Sequence, residues 1–336
     1  MKFNKQRKQI IQLYSSTLLG VVLGIFVSVL NTRNLGPSSY GDVRYVTNLF
    51  NFISSFLLFG YFVSGSRLLA ISKSKLNSQS IRGIMVVILG ITVLVTMFLL
   101  LVGAVVEYVW FNKEIVSLIL YAVPVCATPL MLNYINTTAQ GDNHIGRIAA
   151  ARLFPSFVYL IVGYLVYRYW GATSTKMLLL QNGIAIFVFS CIIWSTRPSF
   201  GYLKASFKRL NRENKRYGRP VYWGSISNVS LSYLAGITLG IYNADNVDVG
   251  FYTLALTVAT PLSMLPSIIG TTYFRFLSVR LNRLKNKLLA NYLRNRGNDL
   301  ATVRNSAFCV AILSNNSFIC KYNIFFRKYE LSVAIL

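Results

Sequence analysis

The stretch Ile84–Val106, IMVVILGITVLVTMFLLLVGAVV, is 23 residues long and contains no charged residue. A helix needs about 20 apolar residues to cross the hydrocarbon core of a bilayer, because its backbone polar groups must be satisfied within the segment. The stretch is therefore predicted to span a membrane. The composition of the whole chain agrees, since 54% of its 336 residues are hydrophobic and only 13% are charged.

Seven further apolar runs of similar length accompany this one. The predicted spans are residues 10–30, 44–66, 84–106, 115–135, 148–168, 177–195, 220–242 and 249–272. The first is interpreted as a retained span, because no small-residue cleavage site follows it. The expected fold class is therefore all-α, a polytopic helical bundle in a membrane. Pro124 and Pro129 in the fourth span, and Pro261 and Pro266 in the eighth, are expected to mark kinks.

The basic residues predict the orientation of these spans. Alternate connections hold 26 Lys and Arg on one side, in residues 2–8, 67–82, 147–152, 196–219 and 275–304. The other side holds 5, namely Arg33, Arg44, Lys113, Arg168 and Lys176. Because Lys and Arg accumulate in cytoplasmic loops, the amino terminus and the basic loops are predicted to be cytoplasmic. The net charge of +25 does not indicate a nucleic-acid partner, since the basic residues lie between apolar runs.

An internal repeat predicts two lobes. Leu18–Ile25 (LLGVVLGI) and Leu234–Ile241 (LAGITLGI) share five of eight residues at an offset of 216, and Gly41 aligns with Gly250 in the spans that follow. Spans one and two are therefore repeated as spans seven and eight, as in transporters built from duplicated helical units. The expected organisation is a six-helix lobe (1–195), a basic linker (196–219), the first two helices of a second lobe (220–275) and a basic tail (276–336), interpreted as aberrant sequence or a cytoplasmic extension.

Polar side chains form stripes inside two of the spans. Asn48, Asn51 and Ser55 project within about 40° of Arg44 on a helix that advances 100° per residue. Thr257 and Thr260 belong to a hydroxyl stripe in the eighth span. Such stripes avoid lipid and line either a helix–helix contact or an aqueous cavity. The two asparagines in line with an arginine favour a cavity for the second span.

Two further arginines lie at span boundaries. Arg67 ends the second span and Arg152 opens the fifth, just before Pro155. The planar guanidinium suits phosphate, and an arginine at this depth is a functional-site hypothesis by default. The alternative is that each side chain reaches out to the lipid headgroups.

Other kinds of site have little support. The four cysteines form no CxxC pair and His144 is the single histidine, so neither a metal site nor a cofactor is expected. There is no pattern of a nucleophile with a base, and a non-enzymatic function is expected. Asp42, Glu107, Glu114, Asp142, Asp245 and Asp248 all fall at or beyond predicted span ends. These positions disfavour an antiporter that couples to an ion through a carboxylate within a helix.

The stretch Thr32–Gly41, TRNLGPSSYG, resembles the L-G-P-x-x-Y-G motif that follows the first helix of polysaccharide-biosynthesis flippases. These are the O-antigen flippase group of the multidrug/oligosaccharidyl-lipid/polysaccharide exporter superfamily. Asn246–Tyr252 (NVDVGFY) looks like the counterpart of this motif in the second half. The resemblance covers about residues 10–276, and the motif is also found in capsule, teichuronic-acid and colanic-acid exporters.

The resemblance implies two six-helix lobes around a cavity that opens alternately to each side of the bacterial inner membrane. It implies an undecaprenyl-pyrophosphate-linked oligosaccharide as substrate, held by cationic groups in the cavity. Arg44, Arg67 and Arg152 are candidates by position. The resemblance also implies other membrane proteins of polysaccharide assembly as partners. The alternatives are an ion-coupled drug antiporter of the same superfamily and a membrane glycan polymerase or glycosyltransferase.

The predicted orientation can be tested with reporter fusions after Arg209 and after Asp245. We expect alkaline phosphatase to be inactive after Arg209 and active after Asp245, because the 26-to-5 distribution of basic residues places these positions on opposite sides. Phosphatase activity after Arg209 but not after Asp245 would show the reverse orientation.

Overall fold

The computed structural model describes residues 2–72, 74–110, 113–242, 246–257 and 259, and these are almost entirely helical. The helices in chain order are α1 (Lys2–Leu35), α2 (Pro37–Phe56), α3 (Tyr61–Ile71), α4 (Lys75–Trp110), α5 (Lys113–Ala122), α6 (Thr128–Asp142), α7 (Ile145–Trp170), α8 (Ser174–Ser195), α9 (Leu203–Glu213), α10 (Arg219–Tyr242) and α11 (Val247–Thr257). A 3-10 turn (Val123–Val125) joins α5 to α6, and a π-helical turn (Asn214–Gly218) joins α9 to α10.

The expected polytopic α-helical fold is confirmed. Within the described residues, five segments are long and apolar enough to cross a membrane, and α2 with α3 forms a sixth that is bent by 61°. The five segments are Ser15–Leu35, Leu76–Val109, Ile115–Asp142, Ile145–Trp170 and Ser174–Ser195. Thr260, Pro261, Pro266 and the predicted tail (276–336) lie outside the described residues.

The connections divide into two ends of the bundle. We call the end at which α1 begins the basic end; it includes residues 72 and 74 and the connections at residues 143–144 and 196–218. The opposite end, which includes Gly36, residues 171–173 and Asn246, is called the far end. The spans thus alternate in direction as the sequence predicts.

The first two helices are joined by a single residue. The sequence predicts a connection of about a dozen residues here, but α1 continues to Leu35 and α2 begins at Pro37. Gly36 has a φ of 79°, in the region that glycine adopts without steric cost. Pro37 stands at the first helical position, where its missing N–H costs no hydrogen bond. The L-G-P motif is therefore the turn itself, and α1 and α2 form a tight hairpin.

The predicted second span (44–66) is broken in the structure. α2 ends at Phe56, and α3 begins at Tyr61 after a turn in which Phe59 and Gly60 have φ of 43° and 74°. A Cβ on Gly60 would overlap the backbone of Gly218, which packs directly against it. The break follows from this contact with a segment more than 150 residues away. The hydrophobic pattern around Gly60 gives no sign of such a contact.

The predicted fourth span is interrupted near its two prolines, and the predicted kink stays a prediction. Pro124 lies in the 3-10 turn between α5 and α6, and Pro129 lies in the first turn of α6. Each proline is thus placed where its lack of an N–H is tolerated. Pro155, by contrast, lies inside α7.

α2 occupies the centre of the bundle. From Ser39 to Ser55 none of its residues is exposed, and it packs against α1, α4, α5, α6, α8 and α10. One apolar core surrounds its first half and includes Tyr40, Val46 and Phe50. A second core lies nearer the basic end, around Phe62, Met85 and Tyr134. Polar groups on α2 are therefore held inside the protein and away from lipid.

A buried ion cluster fastens four helices at the basic end. The Arg82 guanidinium donates to Asp142 Oδ2 from Nε at 3.1 Å and from a terminal nitrogen at 2.8 Å, and it also donates to the carbonyl of Thr196 at 3.0 Å. A terminal nitrogen of Arg147 lies 3.6 Å from the same carboxylate oxygen. The Asp142 side chain is 7% exposed. One carboxylate thus compensates two arginines and ties α4, α6, α7 and the end of α8 together.

We expect Asp142→Asn to destabilise the protein by about 3–5 kcal/mol, because it leaves two partly buried guanidinium groups without their counter-charge. Thermal unfolding of the purified chain in detergent measures the effect. Asp248→Asn, which makes the same chemical change at an exposed carboxylate of the far end, is the matched control. Equal melting temperatures for Asp142→Asn and the unaltered chain would contradict this role.

Candidate functional site

Arg44 lies on the enclosed helix α2, seven residues from its far-end start at Pro37, or about 10 Å along the helix axis. Its guanidinium stacks over the Tyr40 ring at 4.8 Å. The three ion pairs among the described residues do not include Arg44, and its Nε is buried without a hydrogen-bond partner. Arg44 is thus a cation inside the bundle that is stabilised by an aromatic face rather than by a carboxylate.

A buried polar cluster lies next to Arg44. The Tyr159 hydroxyl donates to Asn31 Oδ1 at 2.6 Å, the Tyr167 hydroxyl donates to the same oxygen at 3.2 Å, and the two hydroxyls are 2.7 Å apart. Asn31 is fully buried, and its Nδ2 has no partner. Arg44 lies on the neighbouring helix α2, which packs against α1. The cluster therefore joins α1 to α7 and extends the polar environment of Arg44.

Sequence reasoning missed this cluster. Asn31 is a lone amide near the end of an apolar run, and the two tyrosines are eight residues apart within another. The eight-residue spacing places both tyrosines on one side of α7, which was a usable signal. Their meeting with Asn31 depends on the packing of α1 against α7, which has no local signature.

The other members of the α2 stripe have structural contacts. The Asn48 amide packs against Gly236 of α10, where a Cβ would overlap it. Ser55 Oγ donates to the carbonyl of Phe52 at 2.7 Å, within its own helix. Asn51 is half-buried. On α11, Thr257 Oγ1 donates to the carbonyl of Thr253 at 2.8 Å. Asn48 therefore lies in the contact between α2 and α10. That the stripe lines a cavity stays a prediction.

Arg67 is far from Arg44 along the bundle and has a carboxylate partner. It lies on α3 near the basic end, forms an ion pair with Glu213 at 2.8 Å and stacks over the Tyr217 ring at 4.6 Å. Burial raises the pKa of the Tyr217 hydroxyl above its ordinary value. The contacts of Arg67 thus anchor α9 and the π-helical turn to α3.

Arg152 lies seven residues from the basic-end start of α7, whereas Arg44 lies the same distance from the far end. Its guanidinium donates to Thr17 Oγ1 on α1 at 2.7 Å. Arg152 is half-buried and belongs to none of the three ion pairs of the described residues. Arg44 thus lies nearer the far end of the bundle and Arg152 nearer the basic end, and the three expected arginines do not converge on one point.

The two repeat-related motifs meet at the far end. Asn246 Nδ2 donates to Asp42 Oδ1 at 2.8 Å, and the Asn246 backbone packs where a Cβ on Gly41 would lie. A Cβ on Gly250 would be 3.6 Å from the Cα of Gly41, its repeat equivalent. We call this contact the seam. It joins the start of α2 to the start of α11 and holds the two halves together at the far end.

Glu107 is a buried acid at the far end of its span. It lies two residues before the end of the span Leu76–Val109, as the sequence predicts, but it is 8% exposed and accepts from the Tyr45 hydroxyl at 3.4 Å. Tyr45 in turn packs against Gly240 of α10. In the part of the chain that the structure describes, no group of three His, Cys, Asp or Glu side chains is placed to hold a metal ion. Glu107 is thus a buried carboxylate connected to the contact between α2 and α10.

A groove of about 370 Å³ opens between α7 and α8, away from these polar groups. Its walls are apolar and include Val158, Leu179 and Phe187. Such walls suit a hydrocarbon chain and offer nothing to a glycan or a phosphate.

Comparison with known proteins establishes the family of this chain. The family model described as polysaccharide biosynthesis protein matches residues 7–276, which is most of the sequence. The chain belongs to this family. No curated protein matches it. The family thus agrees with the resemblance of the L-G-P-x-x-Y-G motif.

Two solved structures are similar to this family member. One is the MATE multidrug transporter DinF-BH, solved as a ligand complex, with a TM-score of 0.62, 10% identity, and coverage of 85% of this chain and 68% of that chain. The other, described only as protein A, has a TM-score of 0.61 at 11% identity, with the same coverage. At these identities the likeness shows the fold alone, which is that of a polytopic transporter.

The seam can be tested by cross-linking. In a chain whose native cysteines are replaced by serine, Asp42→Cys and Asn246→Cys should form a disulfide on oxidation, because these side chains are in contact. Adding Gly41→Leu should lower the cross-linked fraction at least about fivefold, since its side chain would overlap the Asn246 backbone. Non-reducing gel electrophoresis after cleavage at an engineered protease site measures the yield.

Gly24→Leu is the matched control for Gly41→Leu. A Cβ on Gly24 has open space around it, so this change should leave the cross-link yield unaltered. An equal loss with both leucines, or no loss with Gly41→Leu, would contradict the close approach at the seam.

Proposed function

We propose that this chain is a flippase that translocates an undecaprenyl-pyrophosphate-linked oligosaccharide, the repeat unit of an O-antigen or a similar surface polysaccharide, across the bacterial inner membrane. The first lobe is residues 1–195, the basic linker is 196–219, and the second lobe begins at 220–275. The amino terminus and the basic end are cytoplasmic. The family, the transporter fold and the polar interior of the first lobe support this proposal.

One observation carries the proposal: Arg44 is an enclosed arginine outside every ion pair of the described residues. A partly buried cation that stacks on an aromatic ring and has no carboxylate paired with it is costly, and its natural complement is an anion that arrives and leaves. A pyrophosphate offers the oxygen acceptors that a guanidinium binds through parallel hydrogen bonds. Arg152 on α7, which also belongs to none of the ion pairs of the described residues, is the second candidate.

The remaining groups suit the other parts of such a substrate. Asn48, Asn51, Ser55, Thr257 and Thr260 supply amide and hydroxyl groups that can bond sugar hydroxyls. The prenyl chain stays in the membrane. Arg67 contributes through the anchoring of α9 and does not contact the substrate, because Glu213 already compensates its charge. No covalent bond of the substrate is made or broken in this function, so the protein is a transporter rather than an enzyme.

Glu107 favours a second candidate, an ion-coupled antiporter. A buried carboxylate near a tyrosine hydroxyl can take up and release a proton, and Tyr45 links it to α10. The two candidates differ in the group that must contact the substrate. A glycolipid flippase needs Arg44 to bind the pyrophosphate. An antiporter for cationic drugs would transport them faster without Arg44, because like charges repel.

Proteoliposomes containing the purified chain and a labelled undecaprenyl-pyrophosphate-linked disaccharide test the proposal. We expect Arg44→Gln to lower the rate of transbilayer movement by at least about tenfold, the effect of losing one charge-assisted hydrogen-bonded contact. Arg44→Lys should retain part of the rate, because it keeps the charge without the planar fork. The rate is the change in label that is accessible to a membrane-impermeant reagent.

Arg168→Gln, which removes an exposed cation at the far end, is the control and should move the lipid at the unaltered rate. An unchanged rate in Arg44→Gln, or equal rates for undecaprenyl lipids with and without the pyrophosphate, would contradict the proposed contact. Movement of a cationic dye that is faster in Arg44→Gln and abolished in Glu107→Gln would support the antiporter instead.

A further inference from the structure

α9 has an inner face that is fixed to the bundle. Leu210 is fully buried, and the Tyr61 hydroxyl donates to Asn211 Oδ1 at 3.4 Å. Glu213 is paired with Arg67, and Asn214 in the next turn is fully buried and accepts from Ser64 Oγ at 3.2 Å. These contacts with α3 fix the rotation of α9 about its axis. Its outward-facing side chains are therefore held in place as a set.

The outer face of α9 and the following turn is strongly basic. Seven cations between Lys204 and Arg219 are exposed, namely Lys204, Lys208, Arg209, Arg212, Lys215, Arg216 and Arg219. The single acid of this stretch is Glu213, which is committed to Arg67. Lys204, Lys208 and Arg212 follow each other at intervals of four residues and lie on the side opposite Leu210. We call these seven residues the basic face.

Exposed aromatic side chains flank the basic face. Phe200 and Tyr202 precede α9, Phe207 lies within it, and Trp223 follows at the start of α10; their exposed fractions are 52%, 75%, 43% and 69%. Aromatic rings of this kind favour the headgroup level of a membrane, and cations beside them favour anionic lipid. α9 starts eight residues after α8 ends and stops six before α10 begins, so it lies within a short distance of the membrane surface.

We propose that the basic face binds the headgroups of anionic phospholipids. Charge complementarity carries this inference, because seven exposed cations have no exposed acid among them and lie on a helix joined to membrane-spanning segments at both ends. Each cation near an anionic membrane surface adds a similar amount to the binding free energy, and a rigid helix presents all of these cations to the membrane at once. A soluble acidic ligand would use the cations but would gain nothing from the aromatic side chains beside them. The inference does not depend on the transported substrate.

Lipid titration of the purified chain in a neutral detergent tests this proposal, with bound lipid counted by native mass spectrometry. We expect phosphatidylglycerol to bind at least about tenfold more tightly than phosphatidylcholine. Lys208→Gln/Arg212→Gln should weaken phosphatidylglycerol binding by roughly 30-fold, the effect of two lost surface cations. Raising the salt from about 0.1 M to about 0.5 M should weaken it further, because exposed charges are screened.

Arg33→Gln/Arg168→Gln is the matched control, since it removes two exposed cations from the far end and should leave the binding unchanged. Equal affinity for the two lipids, or equal losses in the two double variants, would overturn the proposal. Displacement of the lipid by about 10 mM inorganic phosphate would also overturn it and would identify a free-phosphate site. Displacement by polyglutamate but not by phosphate would identify an acidic protein as the ligand instead.

Discussion

The close contact of α2 with α10 and α11 is the interaction on which the arrangement of the two halves depends. Gly41, Gly236 and Gly240 have no side chain to separate the helices, and Asn246, Asn48 and Tyr45 fill the space that a Cβ would need. At the basic end the Tyr222 hydroxyl donates to the carbonyl of Phe56 at 2.6 Å, and Gly218 packs against Gly60. α2 is therefore covered from Ser39 to Ser55. A polar stripe inside a membrane protein must be covered by another helix or face an aqueous cavity, and this contact covers part of the stripe.

The three arginines expected to serve one site have different environments, and the environments explain their energetics. Arg67 has a carboxylate and an aromatic ring, Arg152 has a hydroxyl, and Arg44 has an aromatic ring and an unsatisfied Nε. Charge compensation is therefore complete for Arg67 and incomplete for the other two. Since an uncompensated charge in a low-dielectric interior is costly, Arg44 and Arg152 are the groups with free energy to gain from an anion.

The sequence predicted the features that depend on local physical chemistry. Apolar runs of about 20 residues predicted the spans of α1, α4, α5 with α6, α7 and α8, Pro124 and Pro129 marked the interruption between α5 and α6, and the L-G-P motif marked the connection of α1 to α2. The features that it could not predict arise between residues far apart in the chain. The break at Gly60 depends on Gly218, the Asn31 cluster depends on α7, and the pairing of Arg67 depends on Glu213.

The seam brings together two glycines that the predicted repeat makes equivalent. When a gene for a two-fold symmetric dimer is duplicated and fused, the same surface patch occurs on both halves, and residues on the axis meet their own copies. Gly41 and Gly250 would be such a pair, because a Cβ on Gly250 would be 3.6 Å from the Cα of Gly41. In a chain duplicated in this way, a pseudo-two-fold axis would pass between them. A larger residue at either glycine would have to be accommodated by the other, so we expect these two positions to vary together among relatives.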